Sequence, residues 1–225
     1  MSEFLDNLLK DYIDSEYAAF SAPIVNSSYK VKGVRSPDMK KIIKKIGKEN
    51  SIEVLKKLDD ESFEEINIYF SLLPYYLKDE EILKAAKERI SLYCDSWAVT
   101  DSAASTYKFI GKDLNKYYPE IKKMLQDENI WVIRFAIVLT MNYYPLSEMM
   151  EDLLNDILNI KSEEYYIMMA KAWLFSVLFV KRKEMILPHI ESNELTGVLR
   201  KQTIRKCLDS FRISEEDKEY LKKIR

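Results

Sequence analysis

The sequence predicts an all-α fold of stacked antiparallel helix pairs, and three observations carry that expectation. Apolar residues recur three and four positions apart through most of the chain. Glycine and proline are scarce, at 4 and 6 of 225 residues, while Leu, Ile, Lys, Glu and Met abound, a composition that favours helices over tight-turned hairpins. The polar joints between periodic segments are short, which sets consecutive helices side by side and antiparallel.

Taken in order, Ser36-Pro37-Asp38 opens a helix whose apolar stripe is Ile42, Ile43 and Ile46, and Ser51 with Glu53 and Val54 opens the next. After Pro74 comes the stripe Ile82, Ala85, Ala86 and Ile90. Pro119-Glu120 marks the start of a helix carrying Ile121, Met124 and Leu125. Pro145 and Ser147 precede Leu153, Leu154, Ile157 and Leu158, and further boundary signals stand at Ser162-Glu163-Glu164, Pro188 and Ser214-Glu215-Glu216. About a dozen helices of about 10 to 18 residues follow. No Pro-, Gly- or Ser-rich linker interrupts them, so residues 1–225 are expected to form a single domain.

Helix pairs recurring at about 40 to 47 residues mark the HEAT and armadillo solenoids, right-handed superhelical arrays with a concave binding face. Trp97, Arg134 and Trp173 are 37 and 39 residues apart, close to that period, and each falls in a predicted helix. Equivalent positions in successive repeats would line all three along the concave face.

Composition narrows the function classes. The apolar runs 136–141 and 173–180 fall well short of the roughly 20 residues of a membrane helix, and residues 1–6 lack the basic start of a leader, so a cytoplasmic protein is expected. Cys94 and Cys207 stand alone, without the spacing of a disulfide scaffold or a zinc site, and read as core thiols. His189 has no neighbouring ligand or triad motif, and neither GxxxxGK[ST] nor GxGxxG occurs. No metal and no cofactor is expected, which leaves chemistry run by a carboxylate and aromatic rings.

A net charge of −2, from 35 Lys and Arg against 37 Asp and Glu, argues against a uniformly basic nucleic-acid binder. Basic clusters remain: Lys40 and Lys41; Lys171, Lys181, Arg182 and Lys183; Arg200 and Lys201. Any one of them alone is accounted for by a solvated helix face. Together with aromatic faces inside a groove they would suit a nucleic-acid backbone.

Trp97 and Asp101 are four apart, so an indole and a carboxylate project from one helix face toward one ligand. The alternative is a core tryptophan beside a solvated or capping aspartate. Arg134 sits in the apolar stretch Trp131-Val132-Ile133-Arg134-Phe135-Ala136-Ile137-Val138 and needs a partner there, either Asp101 or a bound phosphate. Trp173 considered alone is more often core than site.

At these residues the chain resembles the DNA alkylation repair protein family, the AlkD-like alkylpurine DNA glycosylases of HEAT-like repeats. Gly33-Val34-Arg35-Ser36-Pro37-Asp38-Met39-Lys40-Lys41 is similar to the family's Gly-Ile-x-x-Pro-x-Arg-Arg element. Ser96-Trp97-Ala98-Val99-Thr100-Asp101-Ser102-Ala103-Ala104 is similar to its Trp-x-x-x-Asp-x-x-Ala helix. Asn129-Ile130-Trp131-Val132-Ile133-Arg134-Phe135-Ala136-Ile137 and Lys171-Ala172-Trp173-Leu174 are similar to two later helices. The chain departs from the pattern at Ile24 (a tyrosine in the family), at Ser176 (a basic residue) and at Met39 and the lysines (arginines).

The resemblance implies an enzyme that excises cationic N3- or N7-alkylated purines from double-stranded DNA; a monomer with access to chromosomal DNA is expected. It implies Asp101 as the catalytic carboxylate, Trp97 and Trp173 as aromatics flanking the sugar, and Arg134 as a DNA-backbone contact. Alternatives are a non-catalytic binder of damaged or branched DNA on the same fold, and a HEAT-like protein–protein scaffold.

Overall fold

The computed structural model describes residues 7–49, 51–56, 62–192, 194–195 and 197–225. Residues 1–6, the segment without basic leader character, lie outside them. Besides a helical stretch at residues 7–9, the described residues hold thirteen α-helices and one 3-10 turn, an isolated parallel bridge between Lys30 and Ser62, and no strand. The chain is all-helical, with helices packed against their neighbours in pairs, as in a helical repeat solenoid. It divides into two compact units, residues 1–109 and 110–225.

The first unit contains α1 (Ser15–Val25), α2 (Ser36–Glu49), α3 (Ser51–Leu55), α4 (Phe63–Tyr76), α5 (Asp79–Tyr93) and α6 (Trp97–Ala104). Helix α4 is its centre and packs on α2, α3, α5 and α6. Its Ile66, Ile68, Phe70, Leu72 and Leu73 are all buried, the mark of a helix apolar on every side. A capping box starts it: Ser62 Oγ accepts from Glu65 N at 3.3 Å, and Glu65 Oε2 accepts from Ser62 N at 2.9 Å. Met39, Ile42, Ile43 and Ile46 of α2 meet Ile68 and Leu72 of α4, each side chain contributing about 1.5 to 3 kcal/mol by leaving water.

The second unit contains the 3-10 turn Ile110–Lys112, then α7 (Leu114–Leu125), α8 (Ile130–Tyr143), α9 (Met150–Asn159), α10 (Tyr165–Lys181), α11 (Lys183–Glu191), α12 (Gly197–Leu208) and α13 (Glu215–Lys223). Helices α8 and α10 pack on one another at its core, α7 covers α8, α11 and α12 cover α10, and α13 covers α12. Cys94 in the first unit and Cys207 in the second are both buried free thiols, and burial pushes the Cys207 thiol up to about 12. No helix among the described residues is long and apolar enough to cross a membrane.

Prolines mark helix boundaries less faithfully than their chemistry suggests. Pro23, Pro74, Pro119 and Pro188 all lie inside helices. Helix α7 begins at Leu114, where Asp113 Oδ1 caps it by accepting from Lys116 N at 3.1 Å, so Pro119 is no start signal. A proline removes one backbone hydrogen bond, and the packing of a buried stripe outweighs that loss in these short helices. Observed helices run from 5 to 17 residues, a wider spread than the periodicity alone suggests.

Candidate functional site

The site in the first unit is built where the end of α1 meets the start of α6. Ser96 caps α6, its Oγ accepting from Ala98 N at 3.2 Å, and donates the same hydroxyl's proton to the Val25 carbonyl at 2.6 Å. The indole N–H of Trp97 donates to the Ile24 carbonyl at 3.0 Å. Two carbonyls at the C-terminus of α1, orphaned by the helix, are thus satisfied by the first residues of α6. Asp95 closes the junction: its carboxylate accepts from Ser27 Oγ at 2.7 Å and from both Ser28 N and Ser28 Oγ at 2.6 Å. The indole of Trp97 is thus tied to the α1 backbone by a hydrogen bond.

One turn on, Asp101 shares the face of Trp97. The single hydroxyl proton of buried Thr100 is divided between the Trp97 carbonyl at 2.9 Å and Asp101 Oδ1 at 3.2 Å, which restrains the carboxylate. Trp97 and Asp101 line a groove of about 400 Å3 together with Tyr17, Phe20 and Ile24 of α1 and Asn67 of α4. Phe20 is two-thirds exposed, so a large aromatic face stands open to solvent at the groove.

The Gly33 element forms the facing wall. Glu64, 1% exposed on α4, accepts three backbone N–H groups, from Lys32 at 2.9 Å, Gly33 at 2.8 Å and Val34 at 3.2 Å. Arg35 pairs with Asp14 at 2.8 Å and lies 4.4 Å over the Tyr17 ring. Met39 faces the core, where a basic side chain has no place, whereas Lys40 is exposed and lines the groove. Lys41 is exposed and bonded to Asp38 at 2.8 Å.

In the second unit a separate groove, of about 580 Å3, is lined by Trp173, Lys181, Lys206, Phe211 and Arg212 among others. Trp173 is 38% exposed there and Ser176 donates to its carbonyl at 2.8 Å. Arg134 is 4% exposed, and its Nη1 donates to the Tyr166 carbonyl of α10 at 2.7 Å, beside the Trp131 and Tyr166 rings at 4.9 Å. The partner its apolar surroundings demand within this unit is thus a backbone carbonyl. Trp97, Arg134 and Trp173 are the first, fifth and ninth residues of α6, α8 and α10.

The remaining cations divide into two sets. Lys171 is buried and donates to the Leu158 and Ile160 carbonyls at 3.4 and 3.1 Å, and desolvation lowers its amine to about 8. Arg182 donates to the Ser147 carbonyl at 3.4 Å, Lys183 pairs with Asp217, and Arg200 donates to the Ile190 carbonyl at 2.9 Å and to that of Ile224. These hold helices together. Lys181 and Lys201 are exposed.

Sequence reasoning passed over Phe20, Asn67, Phe211 and Arg212. Only the spacing of Phe20 and Ile24, one turn apart, offered a local signal for any of them. The carboxylate of Glu64 had a partial one, since Ser62 and Glu65 announce a helix start that leaves the intervening acid without an obvious role.

These features define an all-helical repeat protein that sets an indole and a carboxylate in one groove and aromatic rings among cations in another, the second a surface suited to a polyanion. A family model described as DNA alkylation repair enzyme matches residues 5–206, and the chain belongs to that family. A role in DNA repair follows from that membership. No curated protein matches the chain.

Proposed function

We propose that the protein is a DNA glycosylase that hydrolyses the N-glycosidic bond of cationic N3- or N7-alkylated purines in duplex DNA. The observation that carries this reading is the pairing of Trp97 and Asp101 on one face of α6 in an open groove, with the indole anchored to Ile24 and the carboxylate restrained by Thr100. An alkylated purine is cationic and leaves as a neutral base, so positive charge builds on the deoxyribose as the bond breaks. A carboxylate and an indole face beside the sugar stabilise that charge in the transition state. Water then adds at the anomeric carbon and gives up its proton, for which Asp101 is the acceptor in reach. Trp173, in the groove of the second unit, is assigned to the DNA surface as a further aromatic contact, and exposed Lys40, Lys181 and Lys201 are assigned to phosphates. Arg134 acts by bracing α8 against α10, which its burial favours over direct contact with DNA.

The deciding measurement is release of free 7-methylguanine and 3-methyladenine from methylated duplex DNA. Wild type is expected to release both, and Asp101→Asn to be slower by about 10²- to 10³-fold with an unchanged fold, the usual loss when one transition-state stabiliser is removed. An Asp101→Asn variant as fast as wild type would overturn the assignment. Binding of damaged or branched DNA without excision is the second reading, favoured by the aliphatic Ile24 at the groove wall. Salt-sensitive binding by a folded wild type that releases no base would select it.

A further inference from the structure

Phe211 is 89% exposed, the most exposed large hydrophobic side chain among those described. It belongs to a turn after α12 that is not loose. Ser210 N donates to Cys207 O at 3.1 Å, Arg212 N to Ser210 Oγ at 3.3 Å, and Ile213 next to it is buried at 6% exposure. Ile213 anchors the turn while Phe211 points out, so the ring is held in water by structure. A single exposed apolar side chain is ordinary on a protein surface, so what marks this one is the company it keeps.

The ring lies on the wall of the groove that also holds Trp173, with Lys181, Lys206 and Arg212 around it. The Arg212 guanidinium sits 5.7 Å over the Phe211 ring. Asp209 is the acid lining this groove, and Arg205 Nε lies 4.0 Å from its carboxylate, which offsets that charge. A volume of about 580 Å3 is that of a small-ligand site. Residues 209–212 of this wall fall after the stretch 5–206 that the family model matches.

We propose that Trp173 and Phe211 form a stacking platform for an unpaired nucleotide of DNA, with Lys181, Lys206 and Arg212 on the adjoining phosphates. The cations select a polyanion, and the exposed rings select one with an open base face, which a paired and stacked duplex does not offer. This inference rests on the DNA reading above and adds to it a site for the strand where pairing is broken.

The test is fluorescence anisotropy of the full-length protein with labelled oligodeoxythymidine and with a fully paired duplex of equal length, at one stated salt concentration. Phe211→Ala is expected to weaken binding to the unpaired strand by about 5- to 10-fold, as loss of one stacking ring does, and to change duplex binding by less than about twofold. Phe211→Tyr should restore the wild-type affinity. Because the side chain is almost wholly exposed, the circular-dichroism melting curve of Phe211→Ala should coincide with that of wild type. Unchanged affinity of Phe211→Ala for the unpaired strand, or an equal loss on both DNAs, would overturn the platform. If wild type meanwhile releases 7-methylguanine from methylated duplex, the platform falls alone. A wild type with no affinity for either DNA removes the platform together with the reading beneath it.

Discussion

Gly33 has φ of +89°, and a methyl group there would lie 2.2 Å from the Asp14 carbonyl and 2.8 Å from Ala18 N. Both obstacles are backbone, so nothing flexible can yield. Gly33→Ala is therefore expected to destabilise the protein by about 3 kcal/mol, the sum of left-handed strain and steric overlap. Gly197 also has positive φ, at +53°, yet nothing lies within 4 Å of its missing Cβ, and Gly197→Ala should be destabilised by only about 1 kcal/mol. Urea unfolding of the two variants checks the contrast, and similar losses would show that strain rather than close approach governs position 33. At this scale the sequence discloses what is local. The spacing of Trp97 and Asp101 places them on one face, but that Ile24 serves through its carbonyl and Glu64 through three N–H groups depends on contacts 73 and 30 to 32 residues apart. The fate of Arg134 is of the same kind. An apolar stretch says that a guanidinium needs a partner without saying that a main-chain oxygen of α10 serves as one.

Helices α9 and α10 show how one element spends a cation on another. Lys171 and Trp173 are two apart, and on a helix such residues lie on different faces, so basic charge near Trp173 in sequence is not basic charge near it in space. Lys171 instead closes the C-terminus of α9, where the Leu158 and Ile160 carbonyls lack helical partners. Its folded-state amine titrates near 8, below the ordinary lysine value of 10.5, because burial disfavours the charged form. Between these values the unfolded chain holds a proton that the folded chain has lost, so stability rises with pH across that window. Below about pH 8 the burial penalty is present in full and constant. Denaturant unfolding from pH 7 to 10.5 should show wild type gaining stability relative to Lys171→Met as pH rises; a flat difference would mean that the amine titrates normally. Element boundaries follow the same logic. Side-chain caps at Asp113, Asn129 and Ser214 mark true starts, while prolines within α1, α4, α7 and α11 do not, because tertiary packing outweighs one lost hydrogen bond.

For the molecule as a whole, the all-helical class is legible from periodicity because burying one helix stripe against its neighbours is what most segments' patterns require. Charge is less legible, because a formula net of −2 conceals which cations are spent inside the fold. Arg134, Lys171, Arg182, Lys183 and Arg200 bond to carbonyls or to a carboxylate, whereas Lys40, Lys181 and Lys201 remain exposed. With no large overall positive field, attraction to DNA must be local and carried by a few side chains. The logarithm of duplex affinity should then fall linearly with the logarithm of salt concentration, by about 0.9 for each phosphate neutralised. Lys181→Ala is expected to lessen that slope by about 0.9, while Lys183→Ala, which removes an internal partner of Asp217, should leave the slope unchanged and lower stability instead. Anisotropy titrations of the two variants across a salt series separate a phosphate contact from a structural one. Equal slopes for wild type and Lys181→Ala would remove Lys181 from the DNA surface, and a reduced slope for Lys183→Ala would place that lysine on it.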